Sequence, residues 1–417
     1  MDAARSLRVE EPGPLSIADR LRVVRTHGDP RSENLLIHGD NLAALESLRS
    51  TFAGRIRCVY LDPPFNTGRT FAEYDDARRG DDWIAMMRPR LAAIAPLLAD
   101  DSAVFAEIDD TELATLVMLM DETFGRANRL STITIVRSAS TGHKAINPGP
   151  VNVSDFLLAY ARDRKRWKHR PQVHVRAGYD EAYGTWLENP DEPPKCWRFR
   201  PLKAVVAEAI GFASSREASR ALGKEGFATR VHAHALANAK HVVRFAQPRY
   251  EAIGRAAQAI VDRSREEPER VFVLEREGRA PFIVRGANRI LFLSAKVRDG
   301  AIVEPLTNVW TDIPFQGIAR EGGVVFSRNK KPEKLVARVI ALASDPGDWV
   351  LDPFLGSGTT AAVAHKMGRR WIGIECGDHA KTLAEPRLSR VIRGQDTTGV
   401  SAACGFEGGG GFRTVRC

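Results

Sequence analysis

Cysteine is scarce in this 417-residue chain, and none of its five copies (Cys58, Cys196, Cys376, Cys404, Cys417) sits in a CxxC pair. That scatter excludes a disulfide framework and a zinc ribbon. Long apolar runs are missing as well: none approaches the ~18 residues a membrane span needs. The first residues (MDAARSLRVEEPG) carry acids where a secretory leader would be apolar. Among the ten histidines, His143, His169, His174, His232 and His234 form no metal-ligand set, so no metal is expected. There are no internal repeats, and low complexity is confined to the end, GFEGGGGFRTVRC, which reads as a mobile tail. Secreted, membrane-spanning and disordered classes fall away, and a reducing cytoplasm fits best.

The remainder is an ordinary globular composition, 43% hydrophobic and 27% charged, able to bury a sizeable core. Net charge is +9, unevenly spread. Residues 161–300 hold 28 Lys and Arg against 17 Asp and Glu, a net +11, so the rest of the chain is slightly acidic. A basic middle attracts polyanions, nucleic acid first among them; a solvated Arg-rich surface is the plainer alternative.

Two stretches, 34–160 and 306–393, alternate strand-like and helix-like segments. RIRCVYLD (55–62) is an apolar run ending in an acid, as in a parallel strand buried on both faces. Apolar residues at 83, 84, 87, 91, 94 and 98 have helical spacing. AVFAEID (103–109) and VSDFLLAY (153–160) read as strands, with a helix through Met120 between them. PEKLVARVIALA opens a helix with Pro332 at its first position. WVLDPF (349–354), a helix ending at Gly368, and RRWIGIE (369–375) complete the pattern. This rhythm predicts a doubly wound, Rossmann-like α/β sheet. Residues 162–305 lack it and read as an insertion. The expected divisions are an N-terminal extension (1–30), a first half of the sheet domain (31–161), the insertion (162–305), a second half (306–395) and the Gly-rich end (396–417).

Two motifs carry chemistry. In Asp352-Pro-Phe-Leu-Gly-Ser-Gly-Thr-Thr360 a strand ends in an acid, and a small-residue loop then enters a helix. Gly356 and Gly358 allow close backbone approach, and the helix start offers free N–H groups. No Lys follows the second glycine, so the P-loop pattern fails, and a third glycine for a dinucleotide fingerprint is missing. An acid beside the loop suits a ligand bearing an ammonium group. Glu375, about 20 residues on at the next strand end, suits ribose hydroxyls. Nucleoside plus amino group points to S-adenosylmethionine, although a Gly-rich turn in any α/β protein shares the spacing. The second motif, Asp62-Pro-Pro-Phe65-Asn-Thr-Gly68, also ends a predicted strand. Its prolines make Asp62 and the Pro63 carbonyl rigid acceptors, and Phe65 adds an aromatic face. Such a set can grip the exocyclic amine of a base swung out of its helix; alone, it could equally be a rigid turn with a core Phe.

Together, DPPFNTG and the later DPFLGSGTT resemble the amino-group DNA methyltransferases of the β class, in which the catalytic motif precedes the cofactor motif. More closely, the chain is similar to modification subunits of type III restriction systems. GDNLAAL (39–45), DDWIAMMRPRL (81–91), EIDDTEL (107–113), VSDFLLAYAR (153–162), VWTDI (309–313), Lys331-Pro332, WIGIE (371–375) and the end GFEGGGGF (405–412) recur in the family's order. The resemblance implies a seven-stranded, circularly permuted S-adenosylmethionine-dependent sheet with a target-recognition insertion at 162–305. It implies Asp62, Pro63, Pro64 and Phe65 as the catalytic tetrad. Asp352, Phe354, Gly356, Ser357, Gly358, Thr359 and Thr360 would form the cofactor loop, Glu375 would hold the ribose, and Lys331 and Pro332 would lie near the methionine end.

The implied partners are double-stranded DNA, a second copy of the chain and a restriction subunit, in a bacterial or archaeal cytoplasm close to the nucleoid. Arg137, Lys144, Arg162, Arg164 and Lys165 are candidate phosphate contacts. The expected reaction is N6-methylation of a flipped adenine; N4-methylation of cytosine and a catalytically silent DNA-binder are the alternatives. No cysteine follows a proline, so the covalent chemistry of 5-carbon cytosine enzymes is excluded. The aromatics Trp167, Tyr179, Tyr183, Trp186 and Trp197 would either stack on unpaired bases or pack locally.

Overall fold

Strands with both faces apolar must be covered on both sides, and helices between them supply the cover. In a computed structural model, which describes residues 21–66, 69–70, 75–76, 80–138, 150–176, 178–325 and 330–417, that logic builds one large mixed sheet. Its strands are β1 (Arg22–Gly28), β2 (Leu35–His38), β3 (Ile56–Leu61), β4 (Leu98–Ile108), β5 (Arg129–Val136), β6 (Ser154–Ala161), β7 (Val309–Trp310), β8 (Trp349–Asp352), β9 (Arg370–Glu375) and β10 (Gly411–Arg416). The spatial order is β1-β10-β2-β9-β8-β3-β4-β6-β5-β7. From β2 to β4 every pairing is parallel, and β6 runs antiparallel to both its neighbours. The expected seven strands are therefore the stretch β2 to β5, extended by β10 and β1 at one edge and β7 at the other.

Helices α1 (Asn41–Phe52), α2 (Gly80–Ile94), α3 (Leu113–Phe124), α4 (Glu333–Ala343), α5 (Thr359–Lys366) and α6 (Glu385–Ile392) accompany the sheet. Trp83, Met87, Leu91 and Ile94 of α2 are all fully buried with Val59, Leu61, Val104 and Leu351 in one core, which is the spacing read from the sequence. The α2 helix stops at Ile94, short of Leu98, because Pro96 diverts the chain into a single tight turn. Pro332 caps α4 from outside instead of occupying its first position.

The Gly-rich end is not a mobile tail. As β10 it pairs antiparallel with β1 and parallel with β2, and Phe412 and Val415 are completely buried. Its glycines answer geometric demands. Gly408, Gly409 and Gly410 all have positive φ, and a Cβ on Gly411 would lie 2.5 Å from the His27 carbonyl.

Two compact units divide the chain: the sheet unit, ending at Gln172 and resuming at Thr307, and a second unit, Val173–Leu306. Residues 162–172, expected within the insertion, belong to the sheet unit. The second unit has a six-stranded antiparallel sheet in the order Phe199–Pro201, Thr185–Leu187, Val242–Ala246, Asn288–Phe292, Arg279–Arg285, Phe272–Arg276. Tyr183 is buried in its core, with Tyr179 and Trp186 packed against the same cluster, and Trp197 meets Phe199 and Phe292 edge-on. Local packing accounts for these four aromatics. Among the described residues, no helix is long and apolar enough to cross a membrane.

Candidate active site

The two chemistry-bearing motifs leave neighbouring strands at the same end of the sheet. Strand β8 pairs with β3 in parallel, Leu351 opposite Val59, so Asp352 comes level with Tyr60, two residues before Asp62, and both motifs leave the sheet at one end. Parallel sheets gather ligands outside these carboxyl ends.

The loop after β8 is tightly determined. Asp352 is almost fully buried, and its Oδ1 accepts the Phe354 N–H at 2.9 Å. Burial pushes its carboxyl up to about 7, opposed by hydrogen bonds from Thr360 and the Phe354 amide. The acid is thus turned into its own loop, where it shapes the backbone. Gly356 has φ +56° and open space where a Cβ would stand; Gly358 has φ +83° and caps α5. Ser357, Thr359 and Thr360 are buried, while Phe354 is half-buried against the core. The loop is held from two sides: Asn41 Nδ2 donates to the Pro353 carbonyl at 2.8 Å, and the buried Arg387 donates to Thr359 Oγ1 at 2.7 Å.

Glu375, at the end of β9, closes the pocket side of that loop. Its Oε2 accepts the Gly356 N–H at 2.8 Å and lies 3.1 Å from His379 Nε2; its Oε1 accepts the Gly377 N–H at 2.9 Å. Burial works against its charge, but His379 and the two amides outweigh it and hold the carboxyl below the ordinary carboxylate range. An ionised carboxylate offers about four acceptor sites, so hydroxyl donors still find capacity on Oε1. An ionised acceptor beside an unobstructed glycine suits the ribose of a nucleoside cofactor.

In the Asp62–Phe65 turn, Pro63 is buried and Phe65 is 8% exposed. The Pro64 carbonyl accepts the Trp83 indole N–H at 2.7 Å, which pins the turn to α2. Asn66 adopts a left-handed φ of 61°, tolerated by this residue type, and donates to Glu112 at 2.7 Å. Lys331, expected at the methionine end of the cofactor, has its Nζ 3.0 Å from Asp62 and 4.5 Å from the Phe65 ring centroid. Pro332 follows it directly, its carbonyl accepting the Leu335 N–H of α4.

The candidate phosphate contacts divide. Arg137 lies 3.0 Å from the buried Asp155 in an ion pair, so its charge serves the fold. Arg162, Arg164 and Lys165 are exposed, Arg164 also donating to the Arg129 carbonyl at 3.0 Å. Lys144 lies outside the described residues, as do Thr67 and Gly68. Asn41, Glu107, His379 and Arg387 were not picked out as site residues in the sequence; the segments GDNLAAL and EIDDTEL contain Asn41 and Glu107, but His379 and Arg387 had no local signature. Among the described residues, no group of three or more His, Cys, Asp or Glu is placed to hold a metal ion.

Comparison with known proteins fixes the class. The chain belongs to the N6/N4 DNA methylase family, whose model matches residues 56–251 and 262–386. It is 28% identical, over 93% of its length, to the probable type III restriction-modification enzyme HindVI Mod subunit of Haemophilus influenzae, and it covers 54% of that protein. It is 26% identical to the type II methyltransferase M.EcaI of Enterobacter cloacae, over 82% of this chain and 66% of the relative. The chain thus spans about half to two thirds of these relatives' length. A solved complex of M1.HpyAVI with S-adenosylmethionine covers 85% of this chain and 98% of its own, at 13% identity and a TM-score of 0.40.

Proposed function

We propose that the protein transfers a methyl group from S-adenosylmethionine to the exocyclic N6 of an adenine in duplex DNA. The observation that carries this reading is the placement of two loops, a cofactor-type loop with an ionised Glu375 and an amine-gripping Asp62–Phe65 turn, at adjoining parallel strand ends.

Glu375 accepts the ribose hydroxyls, and the open face of Gly356 lets the cofactor approach the backbone. When bound, S-adenosylmethionine supplies a methyl group already activated by its sulfonium. The target base leaves its stack, and Phe65 takes it against its ring. Asp62 and the Pro63 carbonyl accept the two amine hydrogens, which aims the nitrogen lone pair along the transfer line. Placement supplies most of the acceleration, since well-oriented partners can be worth about 7–11 kcal/mol. The unit Val173–Leu306 reads the target sequence, and Arg162, Arg164 and Lys165 contact phosphates. A homodimer, a restriction subunit and a nucleoid location belong to the same reading.

Expression in a methylation-deficient host, followed by digestion of genomic DNA to nucleosides and mass spectrometry, tests it. N6-methyladenine is the expected product. N4-methylcytosine would replace the base while keeping Asp62 chemistry, and neither product from soluble protein would contradict the proposal.

A further inference from the structure

Lys331 lies in the floor of the amine-gripping turn. Its side chain is 8% exposed, and its Nζ is 3.0 Å from Asp62 Oδ1 and 2.8 Å from Glu107 Oε1. The same ammonium sits 4.5 Å from the centroid of the Phe65 ring. One cation therefore touches both side chains that would meet the target base. Its own position is fixed from two sides. Glu107, on β4, is completely buried and also accepts the Tyr60 hydroxyl of β3. Pro332, the residue that caps α4, follows Lys331 directly. The neighbouring Lys330 points elsewhere, donating to the Val324 carbonyl at 2.9 Å.

We propose that Lys331 is the positioning residue that sets Asp62 and Phe65 for the target amine, with Glu107 as its anchor, and that it is not a ligand of the cofactor's methionine end. This rests on the methyltransferase reading above. Two of the three ammonium donors go to carboxylates, the completely buried Glu107 and the partly buried Asp62, and the charge lies over the Phe65 ring that would stack on the base. A methionine carboxylate would have to compete with both anions for this cation. The groups facing Lys331 are Tyr60 on β3 with Asp62 just past its end, Glu107 on β4 and Asp155 on β6; Asp155 is paired with Arg137, which follows β5, and lies near Asp109. Burial opposes the ammonium's charge, but Asp62, Glu107 and Asp155 outweigh it and hold the proton on well beyond the ordinary lysine range. Without that cation, the gathered carboxylates would draw protons, and Asp62 accepts the amine's hydrogens only while ionised.

The test compares wild type with Lys331→Met/Glu107→Gln, which removes cation and anchor together and leaves no lone buried charge between them, and with Lys331→Arg. S-adenosylmethionine affinity is measured by calorimetry, and single-turnover methyl transfer at saturating cofactor and DNA is followed from pH 5 to 9. The double variant is expected to bind cofactor within about threefold of wild type while its transfer rate falls about 100-fold, the scale of a misplaced reacting group. Its acid limb should move to higher pH, whereas Lys331→Arg keeps the charge, the wild-type acid limb and part of the rate. Cofactor affinity weakened tenfold or more with the saturated rate intact would overturn the inference, as would a double variant indistinguishable from wild type. Wild-type protein that transfers no methyl group would remove the underlying reading and this inference with it, a failure visible before any variant is made.

Discussion

Asp352 shows how one residue can shape a site at the expense of stability. Its carboxyl, pushed up to about 7 by burial, keeps a proton in the native chain that the unfolded chain has already lost above the ordinary carboxylate range. Stability therefore falls as pH rises between about 4 and 7 and levels off above that window. Asp155, also pushed up to about 7 by burial, adds a fall of the same sign. Asp352→Asn removes one of the two contributions, on the order of 4 kcal/mol at 1.36 kcal/mol per pH unit. The drop in melting temperature from pH 5 to pH 7.5 should be smaller than in wild type; an equal drop by calorimetry would contradict this. Residues whose role lies in a short turn, such as Asp62, Phe65, Gly356 and Glu375, were legible because turn chemistry is local. Lys331 was legible as a site residue, but its partners Asp62 and Glu107 lie more than 200 positions away in the chain. Charge patterning along the sequence carries no such contact.

At the scale of elements, the β10 strand decides how one edge of the sheet is finished. Inserted between β1 and β2, it buries Phe412 and Val415 completely, with the Phe412 ring stacked 4.3 Å from that of His27. Phe412→Ala leaves a cavity where no neighbour can collapse cheaply, and such truncations cost about 3–5 kcal/mol. Urea unfolding should show a loss of that size; a loss below about 1 kcal/mol would mean that the strand is dispensable. The central parallel strands were readable from continuous apolar runs ending in acids. This one was hidden by four consecutive glycines, which read as low complexity but serve tight turns and close backbone approach. Strand β5 was also missed, because RLSTITIV alternates polar and apolar residues beside a helix-like run.

Across the whole molecule, the basic excess is shared between both units. The second unit holds 22 Lys and Arg against 17 Asp and Glu, a net +5, and 162–172 adds another +5 to the sheet unit. The single basic insertion inferred from the sequence is thus divided by the fold. Within the second unit several guanidiniums cover aromatic rings, Arg263 and Arg270 on Phe272 and Arg285 on Phe199. The exposed stretch at 162–165 is the better electrostatic footprint. Each phosphate contact contributes about −0.9 to the slope of log affinity against log salt. Arg162→Ala/Lys165→Ala should therefore flatten that slope by up to about 2 in fluorescence titrations with duplex DNA, and an unchanged slope would place the phosphate contacts elsewhere.

The functional account depends on Asp62 acting on a base amine while cofactor is held by a separate loop. The most direct measurement incubates purified wild type and Asp62→Ala with methyl-labelled S-adenosylmethionine and unmethylated genomic DNA, and measures label in the DNA alongside cofactor affinity. Wild type should label the DNA, and Asp62→Ala should bind cofactor comparably while transferring at least about 100-fold less label. Equal labelling by both proteins would contradict the assignment of Asp62 and, with it, the proposed site.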